Sequence, residues 1–202
     1  KKNYNFLDIS NIVNKISKLK ILIIGEIIID QYFFCDPLGK SGKDPIMMFN
    51  NIKNSKYLGG SGAIANHLSE FCKEIKLIST IGQKKEHLSF IKNTLKKNVT
   101  LDYLTKENSP TILKQKYIDN NSSKKIVGFY TFNDSILEKN SEANLKKKIQ
   151  KNILKYDLVI VSDYGHGMIS NSLAKYICKI SKFLIMNSQF NAANLGHHTL
   201  NK

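Results

Sequence analysis

The chain has 202 residues, 42% of them hydrophobic, and a formal charge of +15, which allows one domain with a real core and excludes a disordered polymer. Its longest apolar run, 21–29, is broken by Gly25 and Glu26 and is far too short to cross a membrane. All 31 basic residues are Lys and most are scattered, so the charge reads as compositional drift; without Arg, the bidentate reader of phosphate and guanine, no nucleic-acid partner is expected.

Apolar residues Leu7, Ile9, Ile12, Val13 and Ile16 have helical spacing over 7–18. Lys20-Ile21-Leu22-Ile23-Ile24-Gly25-Glu26 has the continuous apolar pattern of a strand buried on both faces of a parallel sheet. Asp30 follows it, where ligands bind in open α/β sheets. Residues 32–58 then change character. Tyr32, Phe33 and Phe34, then Ile46, Met47, Met48 and Phe49, read as short antiparallel strands around a polar connection, 36–45. Gly39-Lys40-Ser41 lacks the earlier glycine of a P-loop and leads into no helix, so a nucleotide loop is rejected there.

The central stretch is Leu58-Gly59-Gly60-Ser61-Gly62-Ala63-Ile64-Ala65-Asn66, a glycine cluster opening a helix to about Cys72. Glycines let backbone approach a bulky polar group, and free N–H groups in the first helical turn favour hydroxyls or an anion. Residues 75–82 read as a strand, 84–97 as a helix and 99–104 as another strand. Residues 111–118 and 125–130 form a hairpin around Asp119-Asn120-Asn121-Ser122-Ser123. A polar helix over 137–154 precedes the buried strand 157–163, which ends in Asp163. A helix over 170–181 and a strand over 183–186 that ends at Asn187 complete the order. The architecture is α/β, with a mostly parallel sheet and a small antiparallel sheet built from two pieces, about 32–58 and 110–132.

Cys35, Cys72 and Cys178 are odd in number and far apart, and no His pair sits at i, i+4, so neither a disulfide framework nor a metal site is expected and a reducing cytoplasm fits. The N-terminus has no signal-peptide pattern and no initiator Met, and the chain reads as cut from something longer.

Four places together resemble the ribokinase-like, or PfkB, carbohydrate kinases, most of all the heptose-7-phosphate kinase domain of the bifunctional ADP-heptose synthases. They are Gly25-x-x-x-x-Asp30, the Ser41-to-Pro45 segment, Gly59-Gly60 with its helix, and Ser162-Asp163-Tyr164-x-x-Gly167. Thr111, Lys114 and Lys116 echo the family's lid strand, with Lys where Arg is usual. The resemblance covers about residues 20–200. It implies a ribokinase-like three-layer α/β/α fold with a lid sheet, residues 1–202 being the N-terminal two-thirds of a sugar kinase domain. The implied activity is transfer of the ATP γ-phosphoryl group to a hydroxyl of a sugar or sugar phosphate, with Mg2+ in the intact protein.

By the same resemblance, Asp30, Gly59, Gly60 and Asn66 contact sugar, and Lys114 and Lys116 steady an anionic sugar phosphate. Asp163, Asn187 and Gln189 lie nearer the nucleotide phosphates. A homodimer through the lid sheet is implied, with Phe33, Phe34, Met47 and Met48 as an apolar seam. Ala63 stands where the family has Asn, and Asn187-Ser188-Gln189 replaces Asp-Pro-Lys. The family's Gly-Ala-Gly-Asp segment, which supplies anion hole and proton acceptor, is not reached before Lys202, so no catalytic residue is expected in this chain and no turnover from it alone. A non-catalytic sugar- or nucleotide-binding module is the alternative that Ala63 and Gln189 favour. A Rossmann-like oxidoreductase is disfavoured, because Gly25 is followed by Glu26-Ile27-Ile28 and not by G-x-G-x-x-G.

Overall fold

The computed structural model describes residues 4–189. Nine strands and five helices are found among them, in two sheets. The larger sheet has the order β5-β4-β1-β8-β9 and is parallel throughout. Its strands are β1 (Lys20–Gly25), β4 (Glu74–Gly82), β5 (Val99–Lys106), β8 (Leu158–Asp163) and β9 (Leu184–Ser188). Central β1 is covered on both faces, as its unbroken apolar run requires. Ile21 and Ile23 pack toward α2 (Ser61–Leu68) and α3 (Leu88–Thr94) in one cluster that includes Ala65, Ile75, Leu77 and Ile91. Leu22 and Ile24 pack toward α4 (Lys139–Ile153) and α5 (Asn171–Ile180) through Leu145, Ile149, Leu173 and Ile177. Three layers result, each fully buried Ile or Leu contributing roughly 1.5–3 kcal/mol from removal of apolar surface from water.

Helix ends follow local chemistry. α1 (Phe6–Ile16) opens on a reciprocal box in which Asp8 N donates to Asn5 Oδ1 at 2.9 Å and Asn5 N donates to Asp8 Oδ2 at 3.0 Å. Ser170 caps α5, its Oγ accepting from Leu173 N. None of these helices is long and apolar enough to cross a membrane.

The smaller sheet has the order β3-β2-β6-β7 and joins the two separate pieces of sequence. Its strands are β2 (Ile27–Lys40), β3 (Met47–Gly60), β6 (Leu113–Asp119) and β7 (Lys125–Thr131). β2·β3 and β6·β7 are antiparallel hairpins, whereas the β2·β6 seam between the pieces is parallel. β2 and β3 are longer than the sequence pattern implies: 14 residues each, with only 41–46 between them. Asp36 and Pro37 lie inside β2, where the register slips at Phe34/Cys35 and Pro37/Gly39. Those irregularities absorb the residues that read as loop. A strand and no helix follows Gly39-Lys40-Ser41, in keeping with rejection of a P-loop. Phe33 and Phe34, as neighbours on a strand, point to opposite faces: Phe33 stacks on Tyr117 at 4.7 Å, and Phe34 lies under Lys53. They therefore do not form one seam with Met47 and Met48.

Candidate functional site

The chain leaves β1 through β2 and the lid, returns to β4 and β5 on one side, then crosses to β8 and β9 on the other. The strand order therefore reverses between β1 and β8. Ligands of open α/β sheets occupy the crevice beyond the strand ends at such a point. Here that crevice is bordered by Glu26, just past β1, and Asp163, the last residue of β8. Only Glu26 separates β1 from β2, so the lid sheet rises directly from this edge.

Asp30 sits at the root of the lid. Its Oδ1 accepts from Lys116 Nζ at 2.6 Å in a pair whose side chains are 22% and 17% exposed. The registers place Tyr57 and Lys114 beside Asp30, and Lys116 beside Tyr32, so one face of the sheet carries all five residues. Lys116 Nζ also lies 5.0 Å from the Tyr32 ring centre, and Lys114 Nζ 5.8 Å from that of Tyr130. Burial pulls the Lys116 pKa down, but its hydrogen bond and charge attraction to Asp30 outweigh that, and the net shift is upward. Burial dominates at Lys114, lowering its pKa against the opposing attraction of Asp30.

The glycine cluster works by close approach. A Cβ at Gly59 would collide with Asp30 Oδ2, so Asp30 lies over bare backbone. Gly60 turns the chain from β3 into α2 at φ +59° and approaches the Glu26 carbonyl, where a Cβ would also collide. The first helical N–H is not free for a ligand: Ser61 N donates to Glu26 O at 2.9 Å, and Ser61 Oγ to Gly25 O at 2.9 Å. Asn66 is placed apart from Asp30. Its Nδ2 donates to Thr94 O at 2.9 Å and its Oδ1 accepts from Lys96 N at 3.0 Å, so it braces the end of α3. At the other end of the crevice, Asp163, Asn187 and Gln189 share the corner formed by β8 and β9. Gln189 N donates to Asp163 O, and Asp163 Oδ1 and Oδ2 accept from Gly165 N and Ser188 Oγ at 2.9 and 3.1 Å. Asn187 and Gln189 are exposed.

Four functional candidates escape sequence reasoning. Glu26 is fully buried; its two oxygens accept from Tyr164 N at 3.0 Å and Met168 N at 3.2 Å. Burial, with the nearby charge of Asp163, pushes its pKa up to about 7. An acid interrupting a buried apolar run is the signal that could have found it. Lys106, also buried, donates to Asn133 O at 2.5 Å and His166 O at 2.9 Å. His166 is 2% exposed and its Nδ1 lies 2.6 Å from Asp134 Oδ1. Lys106, Asp134 and His166 are far apart in sequence, and His166 fills an unspecified position of the Ser162-to-Gly167 motif, so no spacing links the three.

No model of a protein family matches the chain. Among curated proteins it is similar to the Bifunctional protein HldE of a Nitratiruptor species, 30% identical over 166 residues, covering 81% of this chain and 35% of that protein. It is also similar to the Bifunctional protein HldE of Aliarcobacter butzleri, 32% identical over 174 residues, covering 81% of this chain and 34% of that protein. The chain thus spans about a third of the length of these relatives. Among solved structures, a possible 1-phosphofructokinase from Thermotoga maritima superposes with a TM-score of 0.62 at 12% identity, covering 84% of this chain and 54% of that one. Phosphofructokinase-2 from Escherichia coli superposes with a TM-score of 0.58 at 13% identity, covering 85% and 55%. These superpositions share the fold.

Proposed function

We propose that this chain, which belongs to the ribokinase-like (PfkB) carbohydrate kinase family, forms the sugar-facing part of a kinase that phosphorylates a hydroxyl of a sugar phosphate, a heptose 7-phosphate being the favoured substrate. The observation carrying this reading is the placement of Asp30. A carboxylate laid over bare Gly59 offers acceptors to sugar hydroxyls, and Lys114 and Lys116 on the same lid face offer donors to an anion. Each hydroxyl donated to the carboxylate is a charge-assisted hydrogen bond worth roughly 1.5–3 kcal/mol. Lys116 stays charged through its contact with Asp30 and can turn toward a phosphate when hydroxyls take its place.

MgATP supplies the phosphoryl group when bound. The described residues do not by themselves make a magnesium site: no group of three or more His, Cys, Asp or Glu converges among them. Both carboxylate oxygens of Asp163 are engaged with Gly165 and Ser188. Asp163 therefore orders the loop after β8 in this reading and does not take the substrate proton. ATP and Mg2+ binding, and the proton acceptor, are assigned to the whole kinase, the HldE relatives being roughly two and a half times as long as this chain. The test is Asp30→Ala in the complete protein. Calorimetry should show heptose 7-phosphate binding weakened at least tenfold, the loss of one such hydrogen bond, with ATP affinity unchanged. Unchanged sugar-phosphate affinity removes Asp30 from the site and the reading with it.

A further inference from the structure

Asp134 and His166 meet from different parts of the chain, one after β7 and the other after β8. A carboxylate only accepts, so the proton of a neutral His166 ring resides on Nδ1, toward Asp134, leaving Nε2 as an acceptor. That Nε2 is buried and has no hydrogen-bond partner among the described residues. His166 also lines a cavity of about 10 Å3, the space of one oxygen-sized group, together with Thr80, Lys106, Thr111, Ile112 and Asn133. The cavity lies at the root of the lid: Ile112 O accepts from Ile29 N at 2.9 Å, one residue before Asp30. An orphaned acceptor in such a place is costly unless something donates to it.

We infer that the Asp134–His166 dyad is a second hydroxyl-binding wall of the sugar site, with His166 Nε2 accepting a hydroxyl of the substrate while Asp30 accepts another. This rests on the sugar-phosphate reading above and adds a residue pair to it. The chemistry is selective. An acceptor nitrogen takes a hydroxyl and rejects the oxygens of an ionised carboxylate or of a sugar phosphate's dianion, which have no proton to give. Burial lowers the His166 pKa, the Asp134 contact opposes this, and the charges of Lys114 and Lys106 lower it further, which keeps the ring in the accepting form. The cavity admits one hydroxyl and excludes a ring or a phosphate group. The same site then holds two kinds of group: Lys114 and Lys116 donate to the anionic end, and Asp30 and His166 accept from the polyol.

The test is 15N-edited NMR of the histidine rings in this chain. With no ligand at pH 7, His166 should show a protonated Nδ1 and an unprotonated Nε2. Heptose 7-phosphate should shift the Nε2 signal, and inorganic phosphate should leave it in place. His166→Phe should weaken heptose 7-phosphate binding about threefold to tenfold, as for one net hydrogen bond, and His166→Gln, which retains an acceptor oxygen, should recover part of the loss. If heptose 7-phosphate shifts the Lys114 and Lys116 amides while Nε2 stays put, the cavity holds only a structural water; the inference falls and the sugar site stands. If heptose 7-phosphate shifts none of these signals, both fall.

Discussion

Glu26→Gln separates charge burial from hydrogen bonding at the border of the crevice. Glu26 is fully buried, and its pKa is raised from 4.5 to about 7, first by desolvation and then by Asp163. Below 4.5 the folded and unfolded chains both hold the proton. Between 4.5 and 7 the folded chain retains a proton that the unfolded one releases, so stability falls as pH rises and levels off above 7. The whole shift corresponds to roughly 3 kcal/mol, most of it between about pH 5 and pH 8. Gln offers one acceptor oxygen where Tyr164 N and Met168 N now use two. The variant therefore carries a pH-independent cost of about 1–3 kcal/mol for an unsatisfied N–H. It should be less stable than the parent at about pH 5, and that gap should close by about 2–3 kcal/mol at about pH 8, where the parent bears a buried charge and the variant does not. Urea unfolding of both proteins at the two pH values reads the gap directly, with other titrating groups cancelling in the difference. A gap that stays constant refutes the assignment of a raised pKa to Glu26.

Gly59→Ala forces a methyl group against Asp30 Oδ2, the end of a partly exposed side chain, so the melting temperature should fall only slightly while heptose 7-phosphate affinity falls roughly tenfold or more, read by calorimetry. Asn66→Ala should do the reverse: a stability cost of about 1–3 kcal/mol in urea, from the lost braces to Thr94 and Lys96, with sugar-phosphate affinity unchanged; a selective loss of affinity would restore Asn66 to the site. Residues 1–202 alone should release no ADP from MgATP in a coupled assay with a panel of sugar phosphates. Turnover that persists through purification and vanishes in Asp163→Asn would put the proton acceptor at Asp163 after all.

The fold is legible in the sequence where periodicity is local. β1 is readable because four apolar residues in a row, Ile21 to Ile24, require cover on both faces, and α4 because Leu145, Ile149 and Ile153 repeat at helical spacing. The lid is readable as two patches of strand-like sequence, but not its parallel β2·β6 seam, because nothing local encodes the partner of a strand edge. Asp30 stands out as a carboxylate just past a buried strand. Gly59 stands out as a glycine, though its reason, room for Asp30, is a long-range contact. Asn66 misleads because an amide near a glycine turn serves a ligand and a backbone brace equally well. Lys106, Asp134 and His166 converge only after three separate strand ends come together, so no spacing in the sequence announces them.

A crystal structure of the chain with heptose 7-phosphate tests the central claim most directly. The account predicts sugar hydroxyls within about 2.5–3.0 Å of the Asp30 carboxylate, as for O–H···O bonds, with the phosphate against Lys114 and Lys116. Sugar phosphate bound away from the lid face, with the Asp30–Lys116 pair intact, would contradict it.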